Sequence, residues 1–190
     1  MAKPELTKKL IADTLKKLAL KKHIDKISIS EIVEEAEINR QTFYYHFRDK
    51  QKLIGWIFDS EVAMLTDNYK THTILKDIVQ YLYSQKSFYK AALTSEVQNN
   101  LREHLFNFCY QRCKSDLLSL MANRKMDEKA LNLLVRFFSN AIVGSLVQWA
   151  MEGMETNDRQ FLNELTPILK AQYISAIEYQ TGKTKKKLIS

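Results

Sequence analysis

The scarcity of residues that break helices is the feature that most constrains the fold of this chain. Its 190 residues include only 4 glycines and 2 prolines. Chains that are rich in strands or disordered use these two residues far more often, in turns and in unstructured segments. A hydrophobic fraction of 45% also supplies enough apolar side chains for a sizeable core. The composition therefore predicts an all-α protein.

The periodicity of the apolar residues predicts a series of helices with short interruptions. Helices are expected at about 4–22, in two short pieces within 27–50, and at 51–68, 74–85, 86–94, 97–122, 127–152 and 158–180. Gly153 should stop a helix, and Pro167 should kink or split the last one. We expect a three-helix, helix-turn-helix domain at 1–53, a larger helical domain at 54–180, and a basic, disordered tail at 181–190.

Residues 27–50 have the pattern of two short helices joined by a tight turn. Ser28 can cap the first helix by accepting a hydrogen bond from the backbone of Glu31, whose side chain would complete a capping box. Asn39 is a good cap for the second helix. Ile38 is expected to be the buried plug of the turn.

The second of these helices carries a dense group of polar and aromatic side chains. Because Phe43 and Phe47 are four residues apart, both must face the core, and the remaining side chains are left at the surface. The first turn of a recognition helix reaches base edges, whereas hydroxyl, imidazole and ammonium groups further along suit phosphates. The predicted base-reading residues are Arg40, Gln41 and Thr42, the predicted phosphate contacts are Tyr44, His46 and Lys50, and Ser28, Ser30 and Tyr45 complete the predicted DNA-contact set.

The positive charge of the chain is concentrated at its two ends. Residues 1–53 hold 12 Lys or Arg against 8 Asp or Glu, a balance of +4, and residues 181–190 add four lysines and no acid. Residues 54–180 hold 13 basic and 14 acidic side chains, a balance of −1. A basic head on a nearly neutral body is typical of a protein that binds nucleic acid.

Over about its first 60 residues the chain resembles the DNA-binding domain of TetR-family transcriptional regulators. The matching residues are Ser28, Ile32-Val33, Ala36-Glu37-Ile38, Thr42-Phe43-Tyr44-Tyr45-His46-Phe47 and Lys50. Glu37 departs from the family pattern, which has glycine in the turn, and glutamate would be strained there if the turn needs a positive φ. A narrower similarity, to a subgroup that includes regulators of dihydroxyacetone kinase operons, rests on Arg40-Gln41-Thr42-Phe43-Tyr44 followed by Leu53, Trp56, Ile57 and Phe58.

This resemblance implies a homodimer that binds a palindromic operator in double-stranded DNA. It also implies an effector, a small molecule or a protein, that binds the larger domain and changes the affinity for DNA. Repression is the usual outcome in the family, so we expect a ligand-responsive repressor without a cofactor. Two alternatives stay open: an activator that works through a partner protein, and a helical protein-interaction module that does not bind DNA.

The last two long helices are the expected dimer interface. Segment 137–150 is almost uninterrupted apolar sequence with small residues that allow close helix approach, and the helix at 158–180 has a second apolar stripe. Two such helices from each subunit can form a four-helix interface across a two-fold axis, whereas the alternative is that both belong to the core of a monomer. The predicted interface residues are Phe137, Ala141, Gly144, Leu165, Leu169 and Tyr173.

Aromatic side chains of the larger domain are candidates for an apolar effector cavity. The residues predicted to line it are Tyr81, Phe88, Tyr89, Phe106, Tyr110 and Trp149, and core packing is the competing interpretation for each. Cys109 and Cys113, with His104 nearby in the sequence, suggest a metal or thiol sensor. Two cysteines four residues apart supply at most half a metal site, however, and burial as small hydrophobic residues explains them as well.

The sequence offers little support for an enzyme. It contains no glycine-rich phosphate loop, no nucleophile elbow and no paired-histidine zinc motif. It shows no run of 18 apolar residues and no secretory signal at its N-terminus. The two cysteines are spaced poorly for a disulfide, which fits a reducing compartment, so we expect a cytoplasmic protein without membrane contact.

Overall fold

The computed structural model describes residues 3–66, 74–95, 99–122 and 124–182, and these residues confirm the predicted all-α class. They form nine α-helices and one 3₁₀ turn, at Ile24–Lys26, and no strand. The helices are α1 (Lys3–Ala19), α2 (Ile29–Glu35), α3 (Arg40–His46), α4 (Lys50–Thr66), α5 (Ile74–Ser84), α6 (Lys86–Thr94), α7 (Asn99–Met121), α8 (Glu128–Met151) and α9 (Asp158–Gln180).

The chain divides into two compact units, one of residues 1–104 and 147–155 and the other of residues 105–146 and 156–190. Helices α7 and α8 each contribute to both units. The predicted domain boundary after residue 53 stays a prediction. The predicted tail at 181–190 lies, from residue 183 onward, outside the described residues.

Apolar side chains anchor the helix-turn-helix from within the first unit. Leu15 of α1, Ile32 of α2 and Phe43 of α3 are fully buried. Phe47, at the end of α3, is 4% exposed, and its ring meets the ring of Trp56 on α4 edge-on at 5.7 Å. The predicted inward orientation of the two phenylalanines is therefore confirmed, and the polar face of α3 is left at the surface.

Both predicted caps of the helix-turn-helix are present. Ser28 Oγ accepts a hydrogen bond from the backbone N–H of Glu31 at 3.2 Å, and the Glu31 carboxylate accepts one from the backbone N–H of Ser28 at 2.9 Å. This pair is the capping box that the sequence predicts. Asn39 Oδ1 accepts a hydrogen bond from the backbone N–H of Thr42 at 2.7 Å and thereby caps α3.

Glu37 occupies the left-handed position of the turn between α2 and α3, with a φ of 53°. Its N–H donates to Glu34 O at 3.1 Å, and the N–H of Ile38 donates to Val33 O at 3.0 Å. These two bonds make the Schellman motif that usually ends in glycine, so the turn forms with glutamate under strain. Ile38 is half-buried, and the prediction that it is the buried plug is wrong, because Ala36 takes the interior position.

In the second unit, one face of α8 packs against one face of α9. Phe138 and Ile142 of α8 are buried, and the ring of Phe138 meets that of Tyr173 on α9 edge-on at 4.4 Å. Leu169 and Tyr173 are only 8% and 6% exposed. Both side chains fill the core of the subunit, which weighs against their predicted place in a dimer interface.

The ends of α8 and α9 follow the sequence signals with one exception. Asp127 caps α8 by accepting a hydrogen bond from the backbone N–H of Ala130 at 3.1 Å. Gly153 follows the end of α8 with a φ of 78°, as expected of a helix-stopping glycine. Pro167 lies inside a single helix, Asp158–Gln180, so of the two predicted alternatives, a kink or a split, the split is excluded.

Helix α8 is long and apolar enough, by length and composition, to cross a membrane. An 18-residue window within Glu128–Met151 has a mean hydropathy of 1.6, and it passes this test by length and composition only. A helix that packs inside a water-soluble protein passes the same test, and Phe138, Ile142 and Leu146 of α8 are buried. The composition of α8 alone therefore does not place this protein in a membrane.

Replacing Glu37 by glycine should stabilise the protein by about 1 kcal/mol, because relief of left-handed strain outweighs the extra backbone entropy that glycine loses on folding. Glu34→Gly is a matched control inside α2, where glycine should cost about 1 kcal/mol. Urea denaturation of the three proteins measures both changes. If the two variants shift the midpoint in the same direction, Glu37 is not strained.

Candidate nucleic-acid interface

Helix α3 presents a polar, aromatic face in a fixed orientation. Its cap residue, Asn39, accepts hydrogen bonds from the backbone N–H and from Oγ1 of Thr42 at 2.7 and 2.9 Å, and two buried phenylalanines hold its opposite side. Gln41 is exposed on the outer side, and Tyr45 is 80% exposed. Rotation of α3 about its axis would break the cap and expose the phenylalanines, so the outward direction of Gln41 and Tyr45 is set by the core.

Arg40 is held by partners on both helices of the motif. One guanidinium nitrogen donates to Ser30 Oγ at 3.0 Å, and another donates to Tyr44 Oη at 3.2 Å. The guanidinium carbon also lies 5.6 Å from the centroid of the Tyr44 ring. The structure thus brings three of the predicted DNA-contact residues together. Because these contacts order the long arginine side chain in advance, less conformational entropy is lost when it binds.

Three further members of the predicted DNA-contact set have partners inside the motif. Ser28 Oγ lies 2.9 Å from the Glu31 carboxylate, and the Thr42 hydroxyl is bound to the α3 cap. His46 is half-buried, with its ring edge-on to Tyr45 at 4.9 Å between centroids. All three lie at or near the surface of the helix-turn-helix, and their contact with DNA stays a prediction.

The carboxylate of Glu31 is held as an anion at the start of α2. A hydrogen bond from Lys22, followed by those from the backbone and the side chain of Ser28, lowers the pKa of Glu31 to about 2. The carboxylate therefore stays ionised well below neutral pH. This charge keeps both Lys22 and the capping box engaged, which fixes the entry to the helix-turn-helix.

Lys50 does not point to solvent, as a phosphate contact would. Its Nζ donates to Ile24 O and Ile27 O, each at 2.7 Å, and lies 3.4 Å from Asp25 O. Burial lowers the pKa of this ammonium, and the negative charges of Asp25 and Glu31 oppose that effect. The carbonyls of Ile24, Asp25 and Ile27 take up the three donors of Lys50, which weighs against its predicted contact with phosphate, and that contact stays a prediction.

Two exposed basic residues flank Lys50 and were not predicted to contact DNA. Arg48 lies in the turn after α3, and Lys52 lies in the first turn of α4. The sequence shows three basic residues at alternate positions and does not show which one folds inward. The available signal is helical spacing: residues 50 and 52 of α4 are about 200° apart around the helix, so they cannot share one environment.

The six aromatic residues predicted to line an effector cavity are divided between the two units. Tyr81, Phe88, Tyr89 and Trp149 belong to the first unit, whereas Phe106 and Tyr110 belong to the second. Tyr89 is fully buried and its hydroxyl donates to Glu61, and the ring of Trp149 is stacked on Tyr83 at 5.7 Å. For Trp149, which is 2% exposed and stacked on Tyr83, the competing interpretation of core packing is the better description.

The two cysteines are buried small residues of α7. Cys113 Sγ accepts a hydrogen bond from the hydroxyl of Tyr173 at 3.1 Å. Burial raises the pKa of both thiols, so both stay protonated at neutral pH. Because the thiolate is the nucleophile and the metal ligand, this environment favours the core interpretation of Cys109 and Cys113 over a metal or thiol sensor.

The geometry defines a class of protein. A capped helix, anchored by two phenylalanines, exposes a preordered guanidinium and an amide in its first turn and a phenol in the next turn. The first helix of the motif contacts it and is joined to it by a Schellman turn. This arrangement is a DNA-binding helix-turn-helix.

Comparison with known proteins identifies the family. Residues 11–55 match the family of bacterial regulatory proteins called tetR, and residues 70–171 match a transcriptional regulator C-terminal region. The chain belongs to the TetR family. It is a DNA-binding transcriptional regulator and not an enzyme, as its resemblance to that family predicts.

A curated relative supports the narrower similarity. The chain is 34% identical over 110 residues to the HTH-type dhaKLM operon transcriptional activator DhaS of Lactococcus lactis subsp. lactis (strain IL1403). The alignment covers 56% of this chain and 57% of that protein, so the chain matches little more than half the length of this relative. The similarity to regulators of dihydroxyacetone kinase operons is confirmed as a similarity.

Solved structures of other regulators have the same fold. The dihydroxyacetone kinase operon activator DhaS has a TM-score of 0.66 at 20% identity, over 92% of this chain and 98% of its own. RolR in complex with resorcinol has a TM-score of 0.58 at 16% identity, over 99% and 97%. NalD, the secondary repressor of the MexAB-OprM multidrug efflux pump in Pseudomonas aeruginosa, has a TM-score of 0.53 at 19% identity, over 87% and 96%.

Replacing Lys50 by methionine should destabilise the protein by about 2 kcal/mol, because partly buried carbonyls lose a charged donor. Lys52→Met is the matched control: its side chain is exposed, so stability should stay within about 0.5 kcal/mol. Urea denaturation measures both variants. A Lys50→Met protein of unchanged stability and weakened DNA affinity would restore the phosphate role.

Proposed function

We propose that this TetR-family regulator is a homodimer that reads a palindromic operator through α3 and changes its affinity for DNA when an effector binds. The observation that carries this proposal is the fixed face of α3, with Gln41 and Tyr45 outward and Arg40 bound to Ser30 and Tyr44. Two such faces, related by a two-fold axis, would reach major grooves one helical turn apart.

Base reading is assigned to the residues at the start of α3. A guanidinium matches the two acceptors of guanine, and a glutamine amide matches the donor and acceptor of adenine. Arg40 and Gln41 are both exposed and lie in the first turn of the recognition helix. Tyr45, the most exposed aromatic residue of the helix, offers its ring to a thymine methyl group or its hydroxyl to a phosphate.

Phosphate binding is assigned to Arg48 and Lys52, in place of Lys50. Both side chains are exposed beside the end of α3. Their charges would displace counterions from the DNA backbone without reading sequence. Tyr44 and His46 remain proposed phosphate contacts on α3 itself.

The proposed dimer surface is the face of α8 that its own subunit leaves open. Leu133 and Phe137 are 67% and 64% exposed, and Ala141 and Gly144 continue the same face. A Cβ built on Gly144 would meet nothing within 4 Å, so packing inside the subunit does not require glycine there. Close approach of a partner helix would require it.

Helix α9 supplies the second part of the proposed dimer surface. Ile168 is 60% exposed and Ile174 is 42% exposed, whereas their neighbours Leu169 and Tyr173 face the core. Leu165 is half-buried between these two faces. The apolar stripe of α9 is thus wider than one contact needs, and its outer edge is available to a second copy.

An effector that binds one state of the dimer better than the other would shift the population that fits the operator. Repression, the usual outcome in the family, is the proposed sign of regulation. Activation is the second candidate, because the relative that is 34% identical is described as an operon activator. Transcript levels of the neighbouring genes after deletion of this gene distinguish repression from activation.

A protein of this family acts on chromosomal DNA, so we place it in the cytoplasm.

Arg40→Ala should relax base preference at one operator position, with a loss of about 1–3 kcal/mol of discrimination. Arg48→Ala, the matched control, should weaken binding to all duplexes alike and lower the salt slope by about 1. Fluorescence anisotropy over a salt series, with a duplex selected from a random library, measures both. The same loss of specificity in both variants would contradict the division of roles, and absent or salt-insensitive binding would favour an interaction module.

Phe137→Glu should weaken the dimer at least thirtyfold, or about 2 kcal/mol, because a charge would enter the centre of an apolar interface. The fold of the subunit should survive, since this side chain is 64% exposed. Leu118→Glu is a control on α7, where the leucine is 47% exposed outside the proposed surface. Sedimentation equilibrium reports the oligomeric state, and a wild type that stays monomeric at micromolar concentration contradicts the proposal.

A further inference from the structure

The ammonium of Lys16 lies inside a cage of aromatic rings. Lys16 extends from α1, and its Nζ is 5.6 Å from the ring centroid of Phe88, 5.8 Å from that of Tyr81 and 6.0 Å from that of Tyr89. The carboxylate of Glu61, on α4, pairs with the same ammonium. Three rings and one carboxylate around a cation are the arrangement by which proteins recognise ammonium ligands.

The cage is built independently of Lys16. Tyr89 is fully buried, and its hydroxyl donates to the second oxygen of the Glu61 carboxylate. Burial raises the pKa of Tyr89 well above its ordinary value, and the Glu61 charge adds to this effect, so the phenol stays a donor. Phe88 is 3% exposed and packs edge-on against Tyr89 at 5.1 Å between centroids. The carboxylate is therefore held in place, and rings surround it.

The cage is open enough for its occupant to be exchanged. The side chains of Lys16 and Glu61 are 18% and 16% exposed, so the ion pair lies at the edge of solvent. A cavity of about 440 Å³ adjoins the cage at Lys16 and Phe88, and its other lining residues lie outside the cage. The lysine stem has room to swing into it.

We propose that the cage of Glu61, Tyr81, Phe88 and Tyr89 is an effector site for a small organic monocation, an alkylammonium ion, which takes the place of the Lys16 ammonium. Lys17 and Lys86 also line the cavity, so a second positive charge on the ligand would be repelled. The effector role rests on the proposed function, whereas binding to the cage does not.

Replacement of the Lys16 ammonium by a ligand would affect the DNA-binding motif through α1. Lys16 is the side chain by which α1 enters the cage, and α1 packs against both α2 and α3. An alkylammonium ion in the cage would leave Lys16 without its carboxylate and its rings, and α1 would lose that attachment to α4–α6. The position of α1 under the helix-turn-helix would then differ between the free and the liganded protein.

Chemical rescue tests this proposal. Lys16→Ala vacates the cage, and n-butylammonium has the four carbons and the ammonium of a whole lysine side chain. We expect the Lys16→Ala protein to lose about 5 °C of melting temperature and to recover at least half of it, saturably, with n-butylammonium. Neutral n-butanol and the dication 1,4-butanediammonium should not rescue it. Wild type should bind n-butylammonium at least about tenfold more weakly, because its tethered lysine competes.

Two control variants assign the rescue to the cage. Lys17→Ala changes the next residue, a 62% exposed lysine that pairs with Glu35, and should neither lose much stability nor respond to n-butylammonium. Lys16→Ala combined with Glu61→Gln should not be rescued. If the Lys16→Ala protein does not fold, its folding on addition of n-butylammonium becomes the measured rescue. Lys16→Met, which keeps the apolar stem, should then fold and melt below wild type.

The effector role is tested with the selected operator duplex. Lys16→Ala should change the affinity of the dimer for this duplex at least fivefold, and n-butylammonium should reverse the change. Absence of thermal rescue overturns the site, and thermal rescue without any change in operator affinity overturns its effector role. If wild type does not bind selected DNA at all, the proposed function fails, and the thermal experiment still decides whether the cage binds the cation.

Discussion

The hydrogen bonds that Lys50 donates to backbone carbonyls hold the DNA-binding part of this molecule in shape. They join the first residue of α4 to the 3₁₀ turn that leads into α2. Ile24 O also accepts the N–H of Ile27, and Lys50 adds a charged donor from outside the turn to it and to Ile27 O. A buried carbonyl that loses its donor costs about 1–3 kcal/mol. Since α3 lies between α2 and α4 in the chain, this cross-link and the Asn39 cap together fix the helix that faces DNA.

Local signals in the sequence were enough to predict the helix-turn-helix. The caps at Ser28 and Asn39 depend on residues within three positions of each other, and the spacing of Phe43 and Phe47 fixes the inner face of α3. Lys50 shows why part of the site could not be predicted: its partners lie 23 to 26 residues earlier in the chain. No local pattern distinguishes a lysine that collects distant carbonyls from one that binds phosphate.

The C-terminal helices show the same limit in another form. An apolar stripe predicts that a helix is buried, but it does not tell which part of the stripe its own subunit covers. In α9 the core takes Leu169 and Tyr173 and leaves Ile168 at the surface, one residue away. The aromatic residues predicted to line an effector cavity show the same limit. The sequence does not show that Tyr89 is buried in the core and donates a hydrogen bond to Glu61. Contacts between distant segments of the chain decide which apolar side chains the subunit buries. The periodicity of the sequence shows only that the helix has an apolar face.

The central claim is that DNA meets the outer face of α3 while Lys50 stays inside the protein. Amide chemical shifts measured during titration with the selected operator duplex test it most directly. We expect the largest shifts on residues 40–48, on Lys52 and on Ser30. We also expect the Lys50 ammonium signal to stay protected from solvent exchange with and without DNA. Shifts that spare α3, or a Lys50 ammonium that exchanges freely and responds to DNA, would contradict it.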